Sequence, residues 1–386
     1  MPSLKGNQST SRTLNRLLLL NHLRRHGPTA RSDIAVATGL SPAAISYVSS
    51  ELLEQQIITE RDAVADGGRR RMTRLDLNYA GHVALGVKLM EHNLRATLTD
   101  LGTTVIDTLT ADVDARSPDA VAKAIADALT VLLERSGQDK GRLIGIGLAM
   151  PGQHDAERGV CLRCDRFGWK DVPIAALISN LAGTPVWVDN DVNAFALAEH
   201  LFGAGRQASS LAVFSFGRGI GAAMIVDGQL MRGRHGGAGE IGHLTVVEGG
   251  PRCECGRLGC LEAVTSLPAI LNAYGIVRPS DRTIDPTSLA KLAGEGDPVA
   301  REILDTAGHR LGAAAATFAS LFDPETMVIG GEGVQFGPAL LDPLVATLKE
   351  KNFQRNTEVF VEFWNDDAWA RGAAALAIDS FFSIPS

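Results

Sequence analysis

Four metal-ligating side chains crowd into residues 243–260, and no other feature constrains the fold of this chain as strongly. His243 ends Gly239-Glu240-Ile241-Gly242-His243. After nine intervening residues come Cys253, Cys255 and Cys260, in Cys253-Glu254-Cys255-Gly256-Arg257-Leu258-Gly259-Cys260. Three thiols and one imidazole match the donor set of a closed tetrahedral zinc site, and Gly256 and Gly259 let the backbone turn tightly enough to bring the thiolates together. Four protein ligands leave no open position for water, so the expected ion is one structural Zn2+ per chain. The blander alternative is three unconnected buried thiols. With five cysteines in all, an odd number with three committed to metal, a disulfide framework is not expected, and the compartment is expected to be the reducing cytoplasm. Cys161 and Cys164 read as ordinary thiols.

At 386 residues the chain has room for two or three domains. No apolar run approaches the ~20 residues of a membrane span, so no membrane partner is expected. Charge is divided unevenly. Residues 1–75 carry eleven Lys/Arg against six Asp/Glu, while the remainder carries 26 against 38. A basic head on an acidic body points to a polyanionic partner for the head.

Residues 1–78 read as a winged helix-turn-helix DNA-binding domain. Leu14, Leu17, Leu18 and Leu20 to Leu23 suggest a helical face that stops at Gly27-Pro28, and a second helix through Ser32–Ala37 breaks at Gly39. Ser41-Pro42 supplies an N-cap and a first-turn proline for a third helix running to about Gln55. Ile45, Val48 and Leu52 face inward. Ser41, Ala43, Ala44, Ser46, Tyr47 and Ser50 are left to meet double-stranded DNA, where small residues allow close approach and hydroxyls reach bases and phosphates. Ile57–Arg61 and Met72–Leu77 read as wing strands, joined by a tip containing Arg69, Arg70 and Arg71, which suits phosphates or a narrow minor groove. The alternative is a small helical domain with a solvated basic loop.

Beyond the head, strands are expected at 83–87, 95–99, 105–110, 143–149, 185–188, 211–215, 222–226 and 327–329. Helices are expected over 119–134 and 298–320, and a last one from about 371. No sequence repeat is visible. This order suggests two α/β lobes around a cleft.

The stretch Gly217-Arg218-Gly219-Ile220-Gly221, the Gly236–His243 segment, Cys260-Leu261-Glu262, the upstream Val188-Asp189-Asn190-Asp191 and the closing Trp369-Ala370-Arg371-Gly372 together resemble the ROK family of sugar kinases and sugar-responsive repressors. The resemblance runs from about residue 80 to the C-terminus. It implies a two-lobed actin-like, ribonuclease-H-like sugar kinase fold, with a first lobe over 79–190 joined by the C-terminal helix 371–386, and a second over 191–370 carrying the zinc loop and an oligomerisation surface. It further implies that Asn190, Asp191, Glu240, His243 and Glu262 bond sugar hydroxyls, Asp191 standing where the kinases keep their catalytic base. His243 would serve metal and sugar together. The alternative is that these polar groups only cap helices and support the metal.

The chain departs from the kinases where nucleotide binds. Their Asp-x-Gly-Gly-Thr-Lys phosphate loop is replaced by Lys88-Leu89-Met90-Glu91-His92-Asn93, Arg218 stands where Thr is usual, and Gly330-Gly331 is left as a relic of the adenosine loop. The expectation is a sugar-responsive DNA-binding regulator, a repressor without kinase activity, acting as a homodimer or homotetramer on an inverted-repeat operator. The alternatives are an active ATP-dependent sugar kinase with a DNA-binding head, or a regulator controlled by a protein partner.

Overall fold

The computed structural model describes residues 8–61, 73–279 and 283–383. The N-terminal head is built from α1 (Gln8–His26), β1 (Thr29–Ala30), α2 (Arg31–Thr38), α3 (Pro42–Glu54), β2 (Ile58–Arg61) and β3 (Arg74–Leu77). The local chemistry of the sequence sets these bounds. Gly27 and Gly39 take left-handed backbone at φ 72° and 70°, ending α1 and α2. The Ser41 hydroxyl accepts from the Ala44 amide at 3.2 Å, with Pro42 opening α3. Leu19, Leu20, Leu23, Ile34, Ile45, Val48 and Leu52 form its core with Leu75 and Leu77. Leu14 and Leu18 depart from the expected face and are exposed, because the helix turns Leu19 inward instead. The sheet has order β1-β3-β2, antiparallel throughout, so the expected hairpin gains a third, two-residue strand. The tip with Arg69, Arg70 and Arg71 lies outside the described residues.

The body holds two five-stranded sheets. The first comprises β4 (Val83–Leu89), β5 (Asn93–Asp100), β6 (Val105–Asp112), then, after α4 (Pro118–Ser136), β7 (Leu143–Met150). A small side sheet follows, of β8 (Gln153–Asp155), β9 (Val160–Cys164) and β10 (Trp169–Val172). Then come α5 (Ile174–Ala182), β11 (Val186–Asn190) and α6 (Asp191–Phe202). The second comprises β12 (Ser210–Phe216), β13 (Ile220–Val226) and β14 (Gln229–Leu230). After α7 (Leu261–Thr265), α8 (Leu267–Val277), α9 (Pro286–Glu295) and α10 (Pro298–Phe322) it adds β15 (Thr326–Gly330). After α11 (Pro338–Lys351) it adds β16 (Glu358–Glu362), and α12 (Asp366–Ile378) follows.

Strand orders are β11-β7-β4-β5-β6 and β14-β13-β12-β15-β16. In each sheet an antiparallel three-strand meander is extended, on its first strand, by two parallel strands. The two lobes thus repeat one topology that the sequence does not betray.

α12 begins at Asp366, capped by Asn365, a turn and a half earlier than expected from the sequence. It lies on the first sheet, where Gly86 and Gly147 have no room for a side chain against the Ala370 and Ala373 carbonyls. Its partner α6 packs between the sheets, with Phe195 stacked among Trp364 and Trp369 and in one core with Val213. α6 therefore touches both lobes.

Candidate functional site and metal centre

His243, Cys253, Cys255 and Cys260 come together, their ligand atoms all within 4.8 Å of one another. Cys255 Sγ and Cys260 Sγ are 3.8 Å apart, and Cys253 Sγ lies 3.6 Å from His243 Nδ1. Tetrahedral zinc with bonds of about 2.3 Å to sulfur and about 2.0 Å to nitrogen needs edges of about 3.8 and 3.5 Å. The donor set fits the ion. With no cation, the protein's own charges treat the thiols unequally. Burial pushes Cys253 up to about 12. Burial opposes ionisation of Cys255 too, but the Arg257 amide and guanidinium bring it down to about 6. A divalent cation is what would ionise all three.

The imidazole links this cluster to a group of carboxylates. Nδ1 faces Cys253, while Nε2 sits 3.7 Å from Glu240 Oε2. Burial pushes the Glu240 carboxyl up; His243 opposes that, and the nearby Glu262 and Asp191 carboxylates add to it. Glu240, His243, Glu262 and Asp191 thus share one electrostatic neighbourhood. Glu262 Oε2 accepts from the Ile220 amide at 3.0 Å. Asn190 is tied to backbone: its Oδ1 caps α6 through the Val192 amide at 2.8 Å, and its Nδ2 donates to the Gly152 carbonyl at 3.2 Å. The capping role weighed for these residues is real for Asn190.

Sequence reasoning missed how the departing residues pair. Lys88 forms an ion pair with Asp191 and lies over the Trp369 ring at 4.9 Å. Burial alone would raise the Asp191 carboxyl, but the Lys88 ammonium, helped by Arg166, holds it below the usual carboxylate range. Glu91 and Arg218 pair with each other at 3.4 Å across the lobes. They belong to a closed ring: Glu91 to Arg166 at 3.5 Å, Arg166 to Glu254 at 3.8 Å, and Glu254 to Arg218 at 3.2 Å. Glu254 stands between Cys253 and Cys255, so the cysteine loop supplies one corner. Glu332, directly after Gly330-Gly331, brings its carboxylate against Gly217 of the second glycine loop. The signal available in sequence was complementarity: each replacement has the charge opposite to its partner. Arg232 also crosses the lobes, donating to Asp189 at 2.7 Å.

In the head, Ala43, Ser46, Tyr47 and Ser50 are exposed along α3, with Ala44 half-buried and Ser41 exposed at its cap. The Arg12 guanidinium sits over the Tyr47 ring at 5.4 Å.

The ROK family model matches residues 84–380. The chain belongs to the ROK family. Among relatives, it is 27% identical to the xylose repressor of Caldicellulosiruptor bescii over 98% of this chain and 99% of that one. It is 29% identical to the DNA-binding transcriptional dual regulator NagC of Escherichia coli K12, over 96% and 94%. A crystal structure of a ROK family transcriptional regulator, a homologue of the E. coli MLC protein, superposes with TM-score 0.83 at 28% identity, covering 96% of this chain and 98% of that one. The ROK glucokinase of Streptomyces griseus, in complex with glucose and AMPPNP, gives TM-score 0.66 at 27% identity. That match spans 98% of the glucokinase but 76% of this chain. This ROK protein therefore carries a portion that the glucokinase lacks and the regulators share. No helix among the described residues is long and apolar enough to cross a membrane.

Proposed function

We propose that this ROK protein is a sugar-responsive repressor of carbohydrate-metabolism genes that binds DNA through residues 1–78 and does not phosphorylate its ligand. The observation that carries this reading is coverage: named repressors match over nearly the whole chain, whereas a kinase matches only part of it. The head supports it chemically, since α3 offers small and hydroxylated side chains on an exposed face, followed by an antiparallel wing. Arg69, Arg70 and Arg71 in the connecting tip would hold phosphates, and we take 1–78 as the head, 79–190 with the C-terminal helix as the first lobe and 191–370 as the second. Sugar hydroxyls would bond Asp191, Glu240, His243, Glu262 and the remaining amide proton of Asn190. Zinc, held by His243, Cys253, Cys255 and Cys260, would supply a fixed imidazole orientation and no reacting group. Two heads on a homodimer or homotetramer would engage an inverted repeat in the cytoplasm.

The absence of kinase activity rests on charge. A phosphoryl donor needs a cradle of amides and cations, and here Glu91 and Glu332 line that ground while Lys88 neutralises the would-be base. The test is to measure binding of purified protein to its operator with D-xylose, D-glucose and N-acetylglucosamine added in turn. One sugar should release the DNA without ATP.

A further inference from the structure

α6 has the candidate sugar site at one end and the DNA-binding head at the other. Its N-terminus carries Asn190 and Asp191. Its last carbonyls have no partners within the helix and need donors from elsewhere. The Arg24 guanidinium, from α1 of the head, donates to the His200 carbonyl at 2.9 Å and the Leu201 carbonyl at 3.0 Å. Arg24 is 1% exposed, with its cation over the Phe382 ring at 5.7 Å. The exchange runs both ways. Arg206, just beyond α6, donates to the Arg24 carbonyl through Nε at 2.6 Å and again through Nη2. Gln207 donates to the Arg25 carbonyl at 2.7 Å. Arg24 of α1 thus caps the C-terminus of α6, and the segment just after α6 caps the C-terminus of α1.

We infer that this mutual cap between α1 and α6 is the joint through which the head reads occupancy of the cleft, an inference resting on the sugar-responsive reading above. The physical case has three parts. α6 is a stiff rod of about 18 Å, too short to bend over its length, so a shift at Asp191 is delivered at Leu201. It packs on both sheets, and a ligand bonded to Asp191 on α6 and to Glu240 and Glu262 in the second lobe draws on its position. Lastly, a buried guanidinium is costly unless every bond to it is made, so the joint favours being fully formed or fully released over any intermediate. The helix dipole of α6 favours the formed state, placing a cation at a C-terminus. A well-packed apolar contact would hold the helices together equally well, but without that sharpness.

The experiment uses the full-length protein and three variants: Arg24→Met, Arg206→Met and Gln207→Ala. DNA selected by the wild-type chain from a random pool serves as operator, and the ligand is whichever of D-xylose, D-glucose and N-acetylglucosamine binds the wild type by calorimetry. Sugar affinity, DNA affinity and the factor by which sugar changes DNA affinity are measured for each protein. Wild type should show a factor within the roughly 5–150-fold usual for coupled sites. The variants should keep sugar and DNA affinities within about threefold of wild type while the factor falls toward 1. If Arg24→Met fails to fold, the more accessible Arg206 and Gln207 variants decide the matter. Wild-type coupling in folded Arg206→Met and Gln207→Ala overturns the joint and leaves the sugar-responsive reading standing. A wild-type protein whose DNA affinity ignores every sugar it binds overturns both.

Discussion

The ammonium of Lys88 is paired with the carboxylate of Asp191, the position at which ROK kinases keep their base. On the proposed reading Lys88 stands where a phosphate loop would begin, so one replacement would both remove the donor site and occupy the base. With its carboxyl held below the usual carboxylate range, Asp191 would be an ionised acceptor for sugar hydroxyls. Replacing it by Ala should weaken sugar binding by about 1–3 kcal/mol, the cost of unpairing a buried polar group, as read by calorimetry.

Lys88→Met should change the pH dependence of sugar binding. In wild type the Lys88 ammonium holds the Asp191 carboxyl below the usual carboxylate range, so the acid-side loss of affinity should come from Glu240, whose carboxyl burial pushes up, and not from Asp191. Without the ammonium, burial governs and the carboxyl rises. Affinity should then fall as pH is lowered through the new value. Titration at several pH values distinguishes this from a general loss of fit.

Zinc should co-purify at about one ion per chain, by elemental analysis. Cys255→Ser should lose metal and sugar response together, since His243 faces Cys253 with one ring nitrogen and Glu240 with the other. Native protein without stoichiometric metal would contradict this assignment.

The chain should be dimeric or tetrameric and protect an inverted repeat with half-sites one or two turns apart, at about 34 Å per turn. Arg70→Ala should weaken binding to every sequence and flatten its salt dependence, whereas Tyr47→Ala should change sequence preference. Analytical ultracentrifugation and footprinting check both.

Acid should loosen the body near α6. Burial, with Arg24 and Arg25 close by, lowers the His200 imidazole from 6.5 to about 4. The unfolded chain binds a proton there that the folded chain refuses, so this contribution is complete above pH 6.5 and lost as pH falls toward 4. The loss is at most about 3 kcal/mol. Melting temperatures between pH 5 and 7 should therefore fall less steeply with acid in His200→Gln than in wild type.

Local chemistry made much of this legible in sequence. Ser41-Pro42, Gly39 and the glycines of the 243–260 loop each dictate a backbone conformation by themselves, and the Cys3His spacing foretells that four donor side chains converge. What escaped reading depends on where distant segments meet. The repeated topology of the two sheets leaves no shared residues to detect. Lys88 and Asp191 are 103 residues apart, and Arg24 meets the end of α6 across 176, so only the folded chain shows that their charges and carbonyls are complementary. Glu91 and Arg218 were visible as departures but not as partners.

The most direct measurement follows operator binding and sugar phosphorylation in one sample, titrating sugar into the protein–DNA complex with and without Mg-ATP. The account predicts that sugar alone releases DNA, that Mg-ATP changes nothing, and that no sugar phosphate accumulates. Sugar phosphate that forms with wild type and vanishes with Asp191→Ala, while DNA stays bound throughout, would contradict it.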